Sequence, residues 1–427
     1  MKFLAKLKSK LIKYASNMRA LLIVCRIIFG SVFLLSGVLK ILDPIGTSLI
    51  VSEYLRVAHL SFFSFFSIPF GILLSLTELL TGLAILVRVR MKFFAIVGFY
   101  LISFFTVLTL FLAIFNPISD CGCFGEAVHL TNWQTFLKNI VLLLAATPIY
   151  LFRNKFKLLM SKKGEYIYVS VFAFIALLIP LRSLIVGPFI EFSNFSVGTN
   201  IASLYDEAQE NTKYETLFTY KKDDMVEDFS IQNLPDSTWS YIDSKTKLVG
   251  DASVAFDLSI LDMNEGDITT SIVESRDQML ICSVYNSKFF KNDANWDKIK
   301  KLSEKVLAEG AVFYIFSNTI KGELEEIADQ KGILNVSFGY MDYKNLITLH
   351  RINGGIVYLT DGVIVKKWPG LNYPFDKISK ELNEDYEIVS MSSEIRKQIA
   401  FELLLFIILV SMIVIRRLSK ILPPTNC

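Results

Sequence analysis

Cys121 and Cys123 are the residues in this chain best placed to do chemistry. Two residues apart, their α-carbons lie roughly 5.5–7 Å from each other, which only just admits a disulfide. So small a ring is expected to be strained, and strained, exposed disulfides are the labile or catalytic kind. As a staple it would contribute little, because it closes almost no loop. Gly122 gives the backbone freedom to close the ring, and Gly125 lets the chain turn sharply afterwards. Thiol–disulfide exchange is therefore the expected chemistry: one sulfur forms a mixed disulfide and the other resolves it. Two further readings stay open. The thiols and His129 form part of a metal site, although no fourth ligand stands nearby and no metal is expected. Alternatively, both thiols are small buried residues of a tight turn.

The elements that must position this pair are membrane spans. Of 427 residues, 52% are hydrophobic, 35 are Phe and only 20% are charged, a composition too apolar for an ordinary soluble protein. The lipid bilayer is thus the first expected partner, and a net charge of +3 gives no reason to expect nucleic acid. A span needs about 20 mostly apolar residues. Six stretches meet or approach this: Leu21–Leu42, Phe65–Val87, Phe93–Phe115, Phe136–Phe152, Tyr166–Val186 and Ile399–Ile415. The first is longer than a signal-peptide core and no small-residue cleavage site follows it, so it is expected to remain as a span.

Loop charge predicts the sidedness. Lys and Arg gather in the N-terminus, at Arg88, Arg90 and Lys92, from Arg153 to Lys163, and at Arg416, Arg417 and Lys420. With six spans, all four segments fall on the cytoplasmic side. The loop Asn116–Thr135 has no Lys or Arg, the loop Asp43–Ser64 has only Arg56, and both fall outside with the long segment Gly187–Gln398. Outside a bacterial inner membrane the compartment is oxidising, and thiols there tend to pair.

Charged residues within spans are costly and usually face a bundle interior. Arg26 lies near the inner end of the first span, Lys40 near its outer end and Glu78 near mid-depth of the second. Arg26 and Glu78 are expected to approach each other if these helices pack, fixing helix register. Lys40 and Asp43 lie at the level of the cysteine loop, where an ammonium would favour a thiolate; snorkelling to the interface explains Lys40 equally well. Glu126 and Asp120 give that loop its acid character. Gly30, Gly37 and Gly82 are expected to let helices pack closely.

The series Arg26-Ile-Ile-Phe-Gly30, Ser36-Gly-Val-Leu-Lys40, Glu78-Leu-Leu-Thr-Gly82 and Cys121-Gly-Cys-Phe-Gly125 resembles the MauE/DoxX family of redox-associated membrane proteins over roughly residues 20–155. The resemblance implies a four-helix membrane bundle. MauE itself is associated with maturation of methylamine dehydrogenase, a disulfide-rich periplasmic enzyme, through disulfide formation or electron transport. A fifth span and a large outer domain make the chain similar to DoxX-like proteins of Bacteroidetes.

In the outer segment, Thr216–Asp262 reads as short strands. From Gln278 to Leu382 strands and helices alternate and end in a hairpin across Asp361-Gly362 and a helix at Phe375–Leu382. This order resembles a thioredoxin fold over roughly residues 275–385. It departs from that fold in having Asn286-Ser-Lys-Phe289 where a Cys-x-x-Cys would stand, and Gly354 in place of the usual proline. Cys282 lies inside the first strand and reads as a small core residue.

The expected organisation is an α-helical membrane bundle with a periplasmic α/β thioredoxin-like domain. It runs as a basic N-terminus (1–20), a four-helix unit (21–155), a fifth span (166–186), a lead-in with a small β segment (187–270), a degenerate thioredoxin-like domain (271–398), a sixth span (399–415) and a cytoplasmic tail (416–427). The expected function is thiol–disulfide exchange or electron transfer through Cys121 and Cys123, supported by Lys40, Arg26, Glu78 and Glu126. A periplasmic protein bearing thiols or disulfides is the expected partner, and a quinone in the bundle is one possible electron acceptor. The competing reading is a non-enzymatic scaffold or assembly subunit whose outer domain binds a partner protein.

Overall fold

The computed structural model describes residues 2–118, 121–156, 160–211, 213–222, 225–230, 239–249, 258–319, 322–371 and 374–382, with isolated positions elsewhere; side chains of 2–17, of 210–230, of 240–249 and of 375 are not among them. The chain divides into two compact units, residues 1–193 and residues 194–391.

The first unit is helical: α1 (Lys2–Leu42), α2 (Pro44–Val57), α3 (Ser67–Val87), α4 (Met91–Phe115), β1 (Cys123–Glu126), α5 (Asn132–Leu151) and α6 (Lys162–Val186). Among the described residues five helical stretches are long and apolar enough to cross a membrane: Met18–Leu42, Ser61–Val87, Met91–Phe115, Asn132–Leu151 and Lys162–Val186. They coincide with the first five expected spans. The sixth, Ile399–Ile415, lies outside the described residues apart from isolated positions.

Glycine sets the register of α1 on α3. A β-carbon on Gly37 would run into the backbone of Leu79, and one on Gly82 into that of Leu34. Without those β-carbons the two backbones approach closely, the usual basis of helix association in lipid. The reading of these glycines as packing residues holds.

The segment Asp43–Ser64, read as a plain loop, contains a helix. Asp43 caps α2 by accepting from Gly46 N–H at 2.9 Å, and Pro44 occupies the first turn, where its missing N–H costs nothing. A 3₁₀ turn, Ser61–Phe66, then leads into α3.

The second unit opens with α7 (Ile201–Asn211) and an antiparallel sheet of β2 (Lys213–Lys222), β3 (Met225–Ser230) and β4 (Ser240–Val249), in the order β3-β2-β4. There follow α8 (Thr269–Val273), β5 (Met279–Val284), α9 (Asp293–Ala308), β6 (Val312–Ser317), α10 (Glu323–Gln330), β7 (Ser337–Tyr340), α11 (Tyr343–Leu349), β8 (Gly355–Thr360), β9 (Val363–Trp368) and α12 (Phe375–Leu382). The larger sheet runs β7-β6-β5-β8-β9; β5, β6 and β7 are parallel and β8 and β9 antiparallel. A parallel β-α-β unit followed by an antiparallel hairpin and a helix is the thioredoxin-fold order, here with β7 added at the edge. Cys282 sits mid-β5 between Ile315 and Ile356, fully buried, and burial pushes its thiol up to about 12. It is a core residue. At the end of β5, Asn353 Oδ1 accepts from the N–H groups of Tyr285 and Asn286, both at 2.9 Å. The Phe289 ring lies against Gly354, filling the space any side chain there would need. The place where a thioredoxin fold carries its redox pair is thus occupied by an aromatic ring and an amide clamp.

Candidate functional site

The cysteine loop is clamped onto the helices at both cysteines. Tyr54 of α2 donates its hydroxyl to the Cys121 carbonyl at 3.0 Å. Ser36 Oγ of α1 lies 2.5 Å from the Cys123 carbonyl oxygen and 2.6 Å from Glu78 Oε2. At the start of α5, Asn132 Nδ2 donates to Asn116 Oδ1 and to the Ile118 carbonyl, each at 2.7 Å. A capping box of Thr131 and Gln134 fixes where α5 begins.

Gly122 and Gly125 are both in the left-handed region, with φ of +63° and +64°. Gly122 also packs directly on the Ile50 side chain, whereas a β-carbon on Gly125 would meet only ordinary contacts, the nearest Lys40 Cγ at 3.7 Å. Gly125→Ala is therefore expected to cost about 1–2 kcal/mol from backbone strain alone. Gly122→Ala adds overpacking and is expected to cost roughly 2–4 kcal/mol. Thermal unfolding of the purified variants checks this, and equal losses would remove Ile50 from the explanation.

The two thiols are free, with their sulfurs 2.8 Å apart and Cys121 donating to Cys123. Cys121 is buried and Cys123 half-buried. Their electrostatics are opposite. The hydrogen bond from Cys121 pulls the Cys123 thiol below its ordinary range, and the nearby Lys138 and Lys40 ammonium groups pull the same way, against burial and the Glu78 carboxylate. That same bond and burial push Cys121 up, with the Thr135 hydroxyl and Lys138 opposing. The pair thus consists of one sulfur prepared to be a thiolate and one held as a thiol, the division that attack and resolution require.

Beneath the loop, Lys40 Nζ is paired with both Glu78 oxygens, at 2.8 and 2.9 Å, and both side chains are buried. This corrects the expected approach of Arg26 to Glu78. Arg26 instead donates to the carbonyls of Ile85 and Leu86, at 3.0 and 2.6 Å, at the far end of α3. Because Gly37 faces Leu79, residues further along α1 meet earlier residues of antiparallel α3, and Lys40 is the cation at the level of Glu78. Glu126 ends β1 half-buried, three residues beyond Cys123. Among the described residues no group of three or more His, Cys, Asp and Glu side chains is arranged to hold a metal, and His129 is exposed.

Three residues at the site escaped the sequence reading, Tyr54, Thr135 and Lys138, and Ser36 entered it only as part of a motif, with no role of its own. Lys138 carried a usable signal, since a lysine near the end of an apolar span invites the question asked of Lys40. Its ammonium lies 4.4 Å from the centre of the Phe124 ring, next to Cys123.

A cavity of about 630 Å³ adjoins the pair; Cys121, Cys123, Lys40 and Glu78 line it together with mainly apolar side chains of α1 to α5.

Residues 18–152 match the family model of methylamine utilisation protein MauE. The matched stretch holds the first four apolar helices, α2 and the cysteine loop. Residues 214–250, which include most of the three-stranded sheet, match a domain of unknown function (DUF8463). No curated protein matches the chain. Among solved structures, BsSco, a member of the Sco family of cytochrome c oxidase assembly proteins, aligns at 12% identity over 31% of this chain and 91% of its own, with a TM-score of 0.26.

Proposed function

We propose that this chain is an inner-membrane thiol–disulfide redox component of the MauE/DoxX type that supports maturation of periplasmic proteins through Cys121 and Cys123. The observation that carries the reading is the asymmetry of the pair: a half-exposed Cys123 favoured as thiolate beside a buried Cys121 that donates to it. Cys123 attacks and Cys121 resolves. Lys40 and Lys138 hold the thiolate, Glu78 anchors Lys40, and Arg26 ties the inner ends of α1 and α3 together. The match over residues 18–152 supports the family type, and loop charge supports placing both termini in the cytoplasm and the cysteine loop and outer domain in the periplasm.

The outer domain binds the partner rather than exchanging thiols itself. In support of this, Asn286-Ser-Lys-Phe289 replaces a Cys-x-x-Cys, Phe289 packs on Gly354, and Cys282 is sealed in the core. The same observations suit the second reading, a scaffold or assembly subunit without thiol chemistry. Alkylation-shift analysis of Cys121 and Cys123 in cells separates the two. A redox component shows a pair whose oxidation state shifts under reductive or oxidative challenge, and its Cys121→Ser, Cys123→Ser variant fails to complement. A pair that never changes state, with full complementation by that variant, leaves only the scaffold.

A further inference from the structure

At the end of the bundle opposite the cysteine loop, the turn from α3 to α4 and the start of α6 border a second cavity, of about 510 Å³. Loop charge predicts that this end faces the cytoplasm. Arg88, Arg90, Lys92 and Lys162 line the cavity, and among the described residues Glu165 is its one acid. Glu165 is buried, and its Oε2 accepts the Arg90 N–H at 3.3 Å. Among the described residues none of the four cations is in an ion pair. The Arg90 guanidinium lies instead over the Tyr166 ring, 4.1 Å from its centre.

Sidedness accounts for cations somewhere in these loops, but not for where these stand. Arg90 is the N-cap of α4, Lys92 lies in its first turn, and Lys162 opens α6. A helix N-terminus carries about half a positive charge and favours acids, so cations at two such ends are electrostatically unfavourable. Arg88 and Arg90 also adopt the left-handed backbone, with φ of +64° and +48°, where glycine would be relaxed. An anion seated among the cations offsets the electrostatic cost and gives the strained backbone a purpose. The wall continues onto Phe93 and Ile96, which are 53% and 38% exposed on an apolar span and so meet acyl chains.

We propose that this cavity holds the phosphate of an anionic phospholipid, whose acyl chains run along Phe93 and Ile96. An arginine presents a planar fork of N–H donors that fits a phosphate, and Lys92 and Lys162 add point charges on flexible stems. Basic pockets between spans near the cytoplasmic surface suit such headgroups. The apolar wall selects a lipid over a free phosphate, since a soluble anion gains nothing from it. Bound there, the phosphate neutralises the starts of α4 and α6 together and ties both to the turn after α3. The assignment is independent of the thiol–disulfide reading above.

The test uses the purified full-length protein in detergent, titrated with dioleoyl phosphatidylglycerol or dioleoyl phosphatidylcholine and read by native mass spectrometry and thermal unfolding. The wild type is expected to bind phosphatidylglycerol about tenfold more tightly than phosphatidylcholine and to melt at a higher temperature with it. The double variant Arg90→Gln, Lys162→Gln should lose most of that preference. The double variant Lys10→Gln, Lys13→Gln removes the same charge from the basic N-terminus and should keep it. Arg88→Gly separates binding from folding. Glycine accepts the left-handed backbone, so without lipid this variant should melt no lower than the wild type, yet it should bind phosphatidylglycerol several-fold more weakly. Glycerol phosphate at millimolar concentration distinguishes the source of the phosphate and should not raise the melting temperature. Equal affinity for the two lipids, an equal loss of preference in the N-terminal variant, wild-type binding by Arg88→Gly and by Arg90→Gln, Lys162→Gln, or stabilisation by glycerol phosphate matching that by phosphatidylglycerol would each overturn the assignment.

Discussion

Cys123 is expected to alkylate with a pH midpoint well below the value of about 8.5 usual for a free cysteine. The sign follows from its neighbours. Its thiolate accepts a hydrogen bond from Cys121 and lies near the Lys138 and Lys40 cations, and these outweigh burial and Glu78. Each favours the charged form, so Cys123 stays reactive as pH falls past the point where an ordinary thiol is silent. Cys121 is pushed the other way and should remain unmodified across the neutral range. Cys121→Ala removes the first of these supports. The Cys123 midpoint should then rise, and its alkylation rate at neutral pH should fall about tenfold or more, because each pKa unit changes the thiolate fraction tenfold. Lys138→Met should move the midpoint in the same direction by less. Glu78→Gln should move it down, since the carboxylate opposes the thiolate. Peptide mass spectrometry after brief iodoacetamide exposure reads each rate separately. A Cys123 midpoint at or above the ordinary thiol value, or one indifferent to Cys121→Ala, would end the assignment of Cys123 as the attacking sulfur.

Lys40→Met and Glu78→Gln are expected to be among the most destabilising single substitutions in the helical unit. Each leaves one member of a buried ion pair without its partner, a change that costs about 3–5 kcal/mol. The double variant Lys40→Met, Glu78→Leu leaves no unpaired charge and should recover most of that loss, since apolar replacements of buried pairs are often neutral. Thermal unfolding in detergent, run as a double-mutant cycle, reports the coupling. If the double variant loses as much as the two single variants added together, the pair is not coupled and Lys40 is held by something else. The recovered double variant also separates function from folding. It should be stable, and since it removes together a cation that favours the Cys123 thiolate and the carboxylate that opposes it, with Lys138 still in place, its thiol exchange should be slowed less than that of Lys40→Met.

The sequence revealed the membrane spans and the level of the cysteine loop because both depend on local composition. Five apolar runs became five helices, and Lys40 was placed at the depth of Cys123 by counting along one span. What it hid depends on register between helices. Arg26 and Lys40 are both cations on α1, and only the packing of Gly37 on Leu79 decides that Glu78 meets Lys40. Helix α2 was hidden because Ser48, Ser52, Glu53 and Arg56 interrupt its apolar run, although Asp43-Pro44 is a recognisable start signal. Lys138 was passed over although, like Lys40, it is a cation near the outer end of a span, the same signal that singled out Lys40. In the second unit the strand order from β5 to β9 was legible from period and turns, with Asp361-Gly362 fixing the hairpin. The packing of Phe289 on Gly354 was not, because it joins residues 65 positions apart.

The most direct test of thiol exchange is capture of the mixed disulfide. In Cys121→Ser the attacking sulfur remains and the resolving one is gone, so adducts with a periplasmic protein should accumulate and disappear under reductant. In Cys123→Ser, where only the buried sulfur remains, such adducts should be absent or far fewer. Reductant-sensitive adducts in the first variant and not the second are the result expected of this site. No adduct in either variant, with both cysteines still reduced, would contradict it.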